Sequence, residues 1–268
     1  MPTLPAASTA TVDTILGALL YDKNLRKKDV QSILDLGIYT SPSRPDPARV
    51  EAIQRNAQIR AWLTLDASAA LLLNGGVDPF CTSTSFSVAM IVSSLLHDHS
   101  RPLRSTTESP AAIVVLAYFC DRHRDYRRDA AGSPTEMAMS LMLQLLDRYR
   151  MFNSGDIEAC LDGTDPDDLA SIVNSLGRLI SCLPSNAVVL LFVDGLYFFT
   201  TPADRLSETI YVVEQLLGMF RSEHSATLKL LFSSPVASRF IEEHFEDDEV
   251  VNMSVMLPTL RDDSILVS

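Results

Sequence analysis

Five short apolar runs constrain this chain more than any other feature: Ala69–Leu73, Ala112–Cys120, Val188–Val193, Leu228–Phe232 and Val250–Met256. The first four read as apolar on both faces, and each is followed by a helical stretch. A strand that cannot turn either face to water belongs in a parallel sheet covered by helices on both sides. The helical stretches run over Ser85–His97, Pro134–Tyr149, Pro166–Leu183, Arg205–Arg221 and Pro235–Phe245. Ser133-Pro134-Thr135-Glu136 supplies a capping box with proline at the first helical position, and Asp165-Pro166-Asp167-Asp168 opens the next helix in the same manner. With right-handed crossovers this order predicts an α/β fold: a three-layer sandwich around a mostly parallel five-stranded sheet.

Upstream of the first run the pattern is helical. Residues 1–10 are small and polar and are expected to be disordered. Val12, Ile15, Leu16, Leu19 and Leu20 recur at helical spacing. A second helix is expected over Leu25–Leu36, stopping at Gly37. Pro42 and Pro45 mark Thr40–Asp46 as a linker, and Asp46-Pro47 starts a helix to about Leu63, with Val50, Ile53, Ala57 and Trp62 on its inner side. The expected organisation is a helical extension over 1–60, an α/β domain over 61–260 and a tail over 261–268.

Charge narrows the function. Against 22 Lys and Arg stand 34 Asp and Glu, a net charge of −12, which disfavours a nucleic-acid-coating role. Residues 151–268 hold 6 basic and 19 acidic side chains. This stretch is either a solvated acidic surface or a docking face for a basic partner. Cys81, Cys120, Cys160 and Cys182 are widely spaced with no Cys-x-x-Cys pair, and read as reduced thiols of an intracellular, cytoplasmic protein. No basic residue precedes Lys23, which excludes a signal or transit peptide pattern. The longest apolar run, Val188–Phe199, is interrupted by Asp194 and is too short to span a bilayer. No membrane and no nucleic-acid partner is expected. No heptad run is long enough for a coiled coil.

Ligands of open parallel sheets sit at the carboxyl ends of strands. Leu73-Asn74-Gly75-Gly76, then Val77–Thr84, then a helix is the order of a phosphate-binding loop. Asn74, Gly75, Gly76, Thr82 and Ser83 are its candidate residues. Asp194, at the end of a bulky apolar strand, stands where a P-loop protein holds its magnesium-coordinating acid.

From about Ala61 to Leu257 the sequence resembles the NACHT-type branch of signal-transduction P-loop NTPases, and more closely the degenerate fungal proteins with a nephrocystin-3-like NTPase region. The resemblance rests on Ala69–Gly76, on Ile113–Cys120 ending Tyr118-Phe119-Cys120, on Val188–Leu196 with Asp194-Gly195-Leu196, and on Lys229–Pro235 with Ser233-Ser234-Pro235. It implies a P-loop NTPase fold, with Ser233 and Ser234 in the sensor position.

The departures from that family bear on activity. A working loop needs Gly-x-x-x-x-Gly-Lys-Ser/Thr. Counted from Gly75, the last three positions are Phe80, Cys81 and Thr82; counted from Gly76 they are Cys81, Thr82 and Ser83. No Lys or Arg lies between Arg60 and Arg101. The second element, Asp-Gly-Leu-Asp-Glu in the family, reads Asp194-Gly195-Leu196-Tyr197-Phe198 here. The sensor strand, which ends Thr-Ser-Arg-Pro, reads Phe232-Ser233-Ser234-Pro235. Phosphoryl transfer depends on positioning and charge neutralisation, so losing lysine, polarising acids and sensor arginine removes what lowers the barrier. The expectation is a pseudo-NTPase with no catalytic residue and no cofactor, acting as a protein-interaction or scaffold module with a protein partner. The alternative is a nucleotide-binding switch of the same family, taking ATP or GTP with Mg. A third reading is an unrelated α/β enzyme using Asp194 with the arginines near 122–128.

Other constellations are weaker. His123-Arg124-Asp125 lacks the asparagine of a kinase catalytic loop, since Ala130 stands there. Arg122, Arg124, Arg127 and Arg128 either bind an anion or are balanced by Asp121, Asp125 and Asp129. His97-Asp98-His99 ends a helix and lacks further metal ligands. Glu242–Glu249, with His244, reads as a helix end and exposed loop. Tyr197-Phe198-Phe199 either packs under the next helix or plugs a former nucleotide cavity.

Overall fold

The structure, a computed structural model, describes residues 12–38, 44–76, 82–98 and 112–253. The expectations for residues 1–10, most of the 40–46 linker and the 261–268 tail fall outside it. Five strands, β1 (Ala69–Asn74), β2 (Ala112–Phe119), β3 (Ala187–Asp194), β4 (Thr227–Ser234) and β5 (Val250–Asn252), form one sheet in the order β2-β3-β4-β1-β5. Every pairing is parallel.

The two-residue period of a strand divides the core into two layers. Leu72, Leu116, Leu191 and Leu230 face α6 (Pro134–Arg148), α8 (Leu169–Ser181) and α9 (Ala203–Arg221). The short helices α1 (Val12–Ala18), α7 (Ser154–Leu161) and α10 (Arg239–Glu242) bury Ile15, Leu16, Ile157 and Ile241 in the same layer. Leu71, Leu73, Val115, Phe192 and Leu231 face the opposite layer, built from α2 (Leu25–Asp35), α3 (Pro47–Arg55), α4 (Ala57–Thr64) and α5 (Thr82–Asp98). The four N-terminal helices therefore contribute to both layers rather than to one.

Several boundaries differ from the sequence reading. The single helix expected over 47–63 is two, α3 and α4, because Asn56 takes an extended ψ of 127° and its side chain accepts from the Ile59 N–H at 3.0 Å. The helix expected from Pro166 starts at Leu169, where Asp168 accepts from the Ala170 and Ser171 N–H groups. The short helix α7 carries no strong periodicity and was not expected. Of 235–245 only Arg239–Glu242 is helical. Cys120 leaves the β2 run and opens a 3-10 turn over Cys120–His123.

Two buried polar side chains complete the sheet. The Gln144 amide pairs with both the N–H and the carbonyl of Ala117, each at 2.9 Å, and Arg26 donates to the Val115 carbonyl. Together they pair three backbone groups on the outer edge of β2. Lys229, inside β4 and only 4% exposed, donates to the Trp62 and Leu63 carbonyls at 2.8 and 3.3 Å. A cation there meets the carbonyl end of α4.

Candidate functional site

The chain leaves β1 into α5 on one face, and leaves β3 and β4 into α9 and α10 on the other. Connections diverging in this way mark the carboxyl end of β1 as the place where a sheet of this kind takes a ligand. Asn74, Asp194, Ser233 and Ser234 all lie at that edge, since β4 pairs with β1 on one side and β3 on the other.

The glycines answer to packing. The Gly75 N–H donates to the Ser234 carbonyl at 2.8 Å, and a Cβ on Gly75 would lie 2.3 Å from the Thr84 hydroxyl and 3.2 Å from the Pro235 carbonyl. Gly76 has φ +72°, a left-handed conformation natural to glycine. Residues 77–81, including Phe80 and Cys81, lie outside the described structure. The start of α5 is rich in buried hydroxyls: Thr82, Ser83, Thr84 and Ser85. The Ser83 hydroxyl accepts from the Asp46 N–H at 3.0 Å. Arg49, on α3, donates to the Gly75 carbonyl at 3.0 Å and lies 3.8 Å from the Asp46 carboxylate. A cation thus reaches this loop from upstream of Arg60.

Asp194 is fully buried. Its Oδ1 accepts from the Ser233 hydroxyl, whose oxygen also accepts the Gly195 N–H at 3.1 Å. Oδ2 has no well-formed hydrogen bond. Burial pushes this carboxyl up to about 6; the hydroxyls of Ser233 and Ser85 pull it back down, nearby Asp121 adds to the rise and Arg122 opposes it. Ser234 points elsewhere, its hydroxyl donating to the Val236 carbonyl. At the end of β1, the Asn74 amide donates to Glu242 of α10, while its own carbonyl oxygen is buried without a partner.

Of the residues sequence reasoning brought forward, Asn74, Gly75, Gly76, Thr82, Ser83, Asp194, Ser233 and Ser234 share this edge. It missed Arg49, Ser85 and Glu242. The run of hydroxyls from Thr82 to Ser87 was a signal for Ser85; nothing in the sequence tied Arg49 or Glu242 to β1.

Three of the four arginines after β2 are paired internally, and Arg127 lies on Tyr126 instead. Arg122 and Arg124 both bind Asp121, and Arg128 approaches Asp125 at 3.9 Å. Asp129 pairs instead with His123 Nδ1 at 2.8 Å, and His123 Nε2 meets Asp29 of α2 at 3.2 Å. The aromatic trio packs towards α9. Phe199 is buried against Tyr118, with the Arg205 guanidinium 3.7 Å above its ring, and Arg124 lies over Phe198 at 3.9 Å. Tyr197 is half exposed. His97 is exposed in the last turn of α5, whereas His99 lies outside the described residues. Among the described residues no group of three or more His, Cys, Asp or Glu could hold a metal ion, and no helix is long and apolar enough to cross a membrane. Compared with known proteins, the chain matches no family model and no curated protein.

Proposed function

We propose that this chain is a catalytically degenerate P-loop NTPase-like domain that works as an intracellular protein-interaction or scaffold module. One observation carries the reading: the donors and the cation at the carboxyl edge are bonded to the chain itself, and the two unpartnered atoms there among the described residues, Asn74 Oδ1 and Asp194 Oδ2, are acceptors that offer a phosphate nothing. Ser83 is held by Asp46, Arg49 by the Gly75 carbonyl and Asp46, Asp194 by Ser233, and Asn74 by Glu242. A magnesium–nucleotide fits these residues poorly. Phosphates need cations and N–H donors facing outward, whereas the Ser83 hydroxyl and the Arg49 guanidinium are engaged, and the acid is sealed from solvent. Both glycines are accounted for by the turn and its contact with Thr84. The acidic excess of residues 151–268 suits a partner with a basic surface.

Arg49 favours a second reading, a nucleotide-binding switch, because it brings to the loop a cation that the segment from Arg60 to Arg101 lacks. Thermal unfolding with and without Mg·ATP or Mg·GTP separates the two. A ligand at about 100 times its dissociation constant stabilises by roughly 2.7 kcal/mol. The scaffold reading expects no shift. A saturable, magnesium-dependent shift lost in both Arg49→Ala and Asp194→Asn would replace it with the switch.

A further inference from the structure

Cys160 and Cys182 lie with their sulfurs 3.5 Å apart, within hydrogen-bond reach of each other. Cys160 sits in the last turn of α7, buried, and Cys182 is the C-terminal cap of α8, exposed. Nothing in the proposed scaffold role uses them. We propose that they form a reversible thiol–disulfide pair that responds to hydroperoxides.

Three features of the surroundings support this. First, the sulfurs are already side by side, so the bond needs them to close by only about 1.5 Å. Secondly, the segment between them is held in place by polar contacts. Thr164 and Ser175 share a hydrogen bond of 2.6 Å, the Asp165 N–H donates to the Ser171 hydroxyl at 2.9 Å, and Arg178 reaches both the Asp162 carbonyl and the Ser175 hydroxyl. The pair is therefore presented by a fixed frame. Thirdly, the two thiols differ in access. Oxidant meets Cys182 first, whereas Cys160, pushed up to about 12 by burial and its hydrogen bond with Cys182, is a poor first nucleophile but is placed to resolve the product.

The steps balance. The Cys182 sulfur attacks the hydroperoxide, the O–O bond breaks, one oxygen stays on sulfur as a sulfenic acid and the other leaves as water or alcohol. The Cys160 sulfur then attacks the sulfenic sulfur; the S–S bond forms, the S–OH bond breaks, and hydroxide leaves as water with the Cys160 proton. Two thiols lose two electrons and the peroxide gains them. A dithiol reductant reverses the change. The disulfide ties α7 to the end of α8 and encloses the acidic loop carrying Asp162, Asp165, Asp167 and Asp168, fixing a part of the surface that would face a basic partner.

The test uses the full chain treated with hydrogen peroxide, alkylated, digested without reduction and analysed by mass. The expected product is a Cys160–Cys182 peptide pair two hydrogens lighter than the separate thiols, released by dithiothreitol and absent in Cys182→Ser. Its formation should raise the midpoint of thermal unfolding by several degrees while leaving the circular dichroism spectrum unchanged. The proposal is overturned if Cys182 accumulates as sulfinic acid while Cys160 stays alkylatable, if the cross-link joins Cys81 or Cys120 instead, or if the oxidised protein melts earlier.

Discussion

Arg49 of α3 donates to the carbonyl of Gly75, the residue that follows β1, across 3.0 Å. The contact ties the N-terminal helices to the strand end where a parallel sheet binds its ligands. Together with the Asp46 contact to Ser83, it ties Gly75 and the first turn of α5 to the start of α3.

Asp194 makes stability depend on pH. Its carboxyl sits at about 6 in the folded chain against an ordinary 3.8, so the folded state holds the proton more tightly. The resulting stabilisation is complete below about pH 4 and is lost as pH rises through about 6, a swing of about 3 kcal/mol. Asp194→Asn does not titrate. Its stability relative to the parent, from urea unfolding, should climb by about that amount between pH 4 and pH 7; a constant difference would contradict the buried carboxylate.

His123 acts over a higher range. Burial lowers its affinity for a proton, but the hydrogen bonds it donates to Asp29 and Asp129 raise it by more, and the net shift is upward. Two carboxylates facing both ring nitrogens require the imidazolium, which donates twice. Stability from this group is complete below the ordinary value of 6.5 and is lost as pH rises through the elevated one. His123→Gln should cost about 3 kcal/mol at pH 6, because it leaves Asp29 buried without its cation. The cost should shrink towards pH 9, and an undiminished cost there would count against the charged bridge.

Gly75 and Thr84 should be coupled. A methyl group at Gly75 meets the Thr84 hydroxyl at 2.3 Å, so Gly75→Ala should cost about 1–3 kcal/mol. In a Thr84→Ala background the cost should fall by about 1 kcal/mol. Denaturant midpoints of the four proteins in this cycle give the coupling directly, and strict additivity would show that the loop relaxes around the added carbon.

Lys229→Met keeps the length and apolar stem of the side chain and removes the ammonium from the Trp62 and Leu63 carbonyls. The loss should be about 1–2 kcal/mol, with amide hydrogen exchange faster in the last turn of α4 than in β4. Unchanged exchange in α4 would mean that the cap contributes nothing there.

The sequence by itself determined the parallel α/β sandwich. Runs such as Val188–Val193 have no polar face, so their burial between two helical layers follows from the hydrophobic effect and from the demand that backbone groups pair within a sheet. It also marked Asp194 and the Asn74-Gly75-Gly76 turn, because strand ends are legible from where apolar runs stop. Helix breaks were less legible. Asn56 is an ordinary residue in a helical pattern, and its capping role exists only once its side chain finds the Ile59 N–H. The role of Lys229 inside β4 likewise depends on the end of α4 lying beside it. What only the tertiary structure decided is which distant polar groups meet: Arg49 with Gly75, Glu242 with Asn74, His123 with Asp29, and Cys160 with Cys182. Helical and strand periodicity act over a few residues and order each segment alone, whereas these pairs span from 22 to 168 positions. They form only after the layers have packed, because it is packing that brings the partners together and removes water from between them.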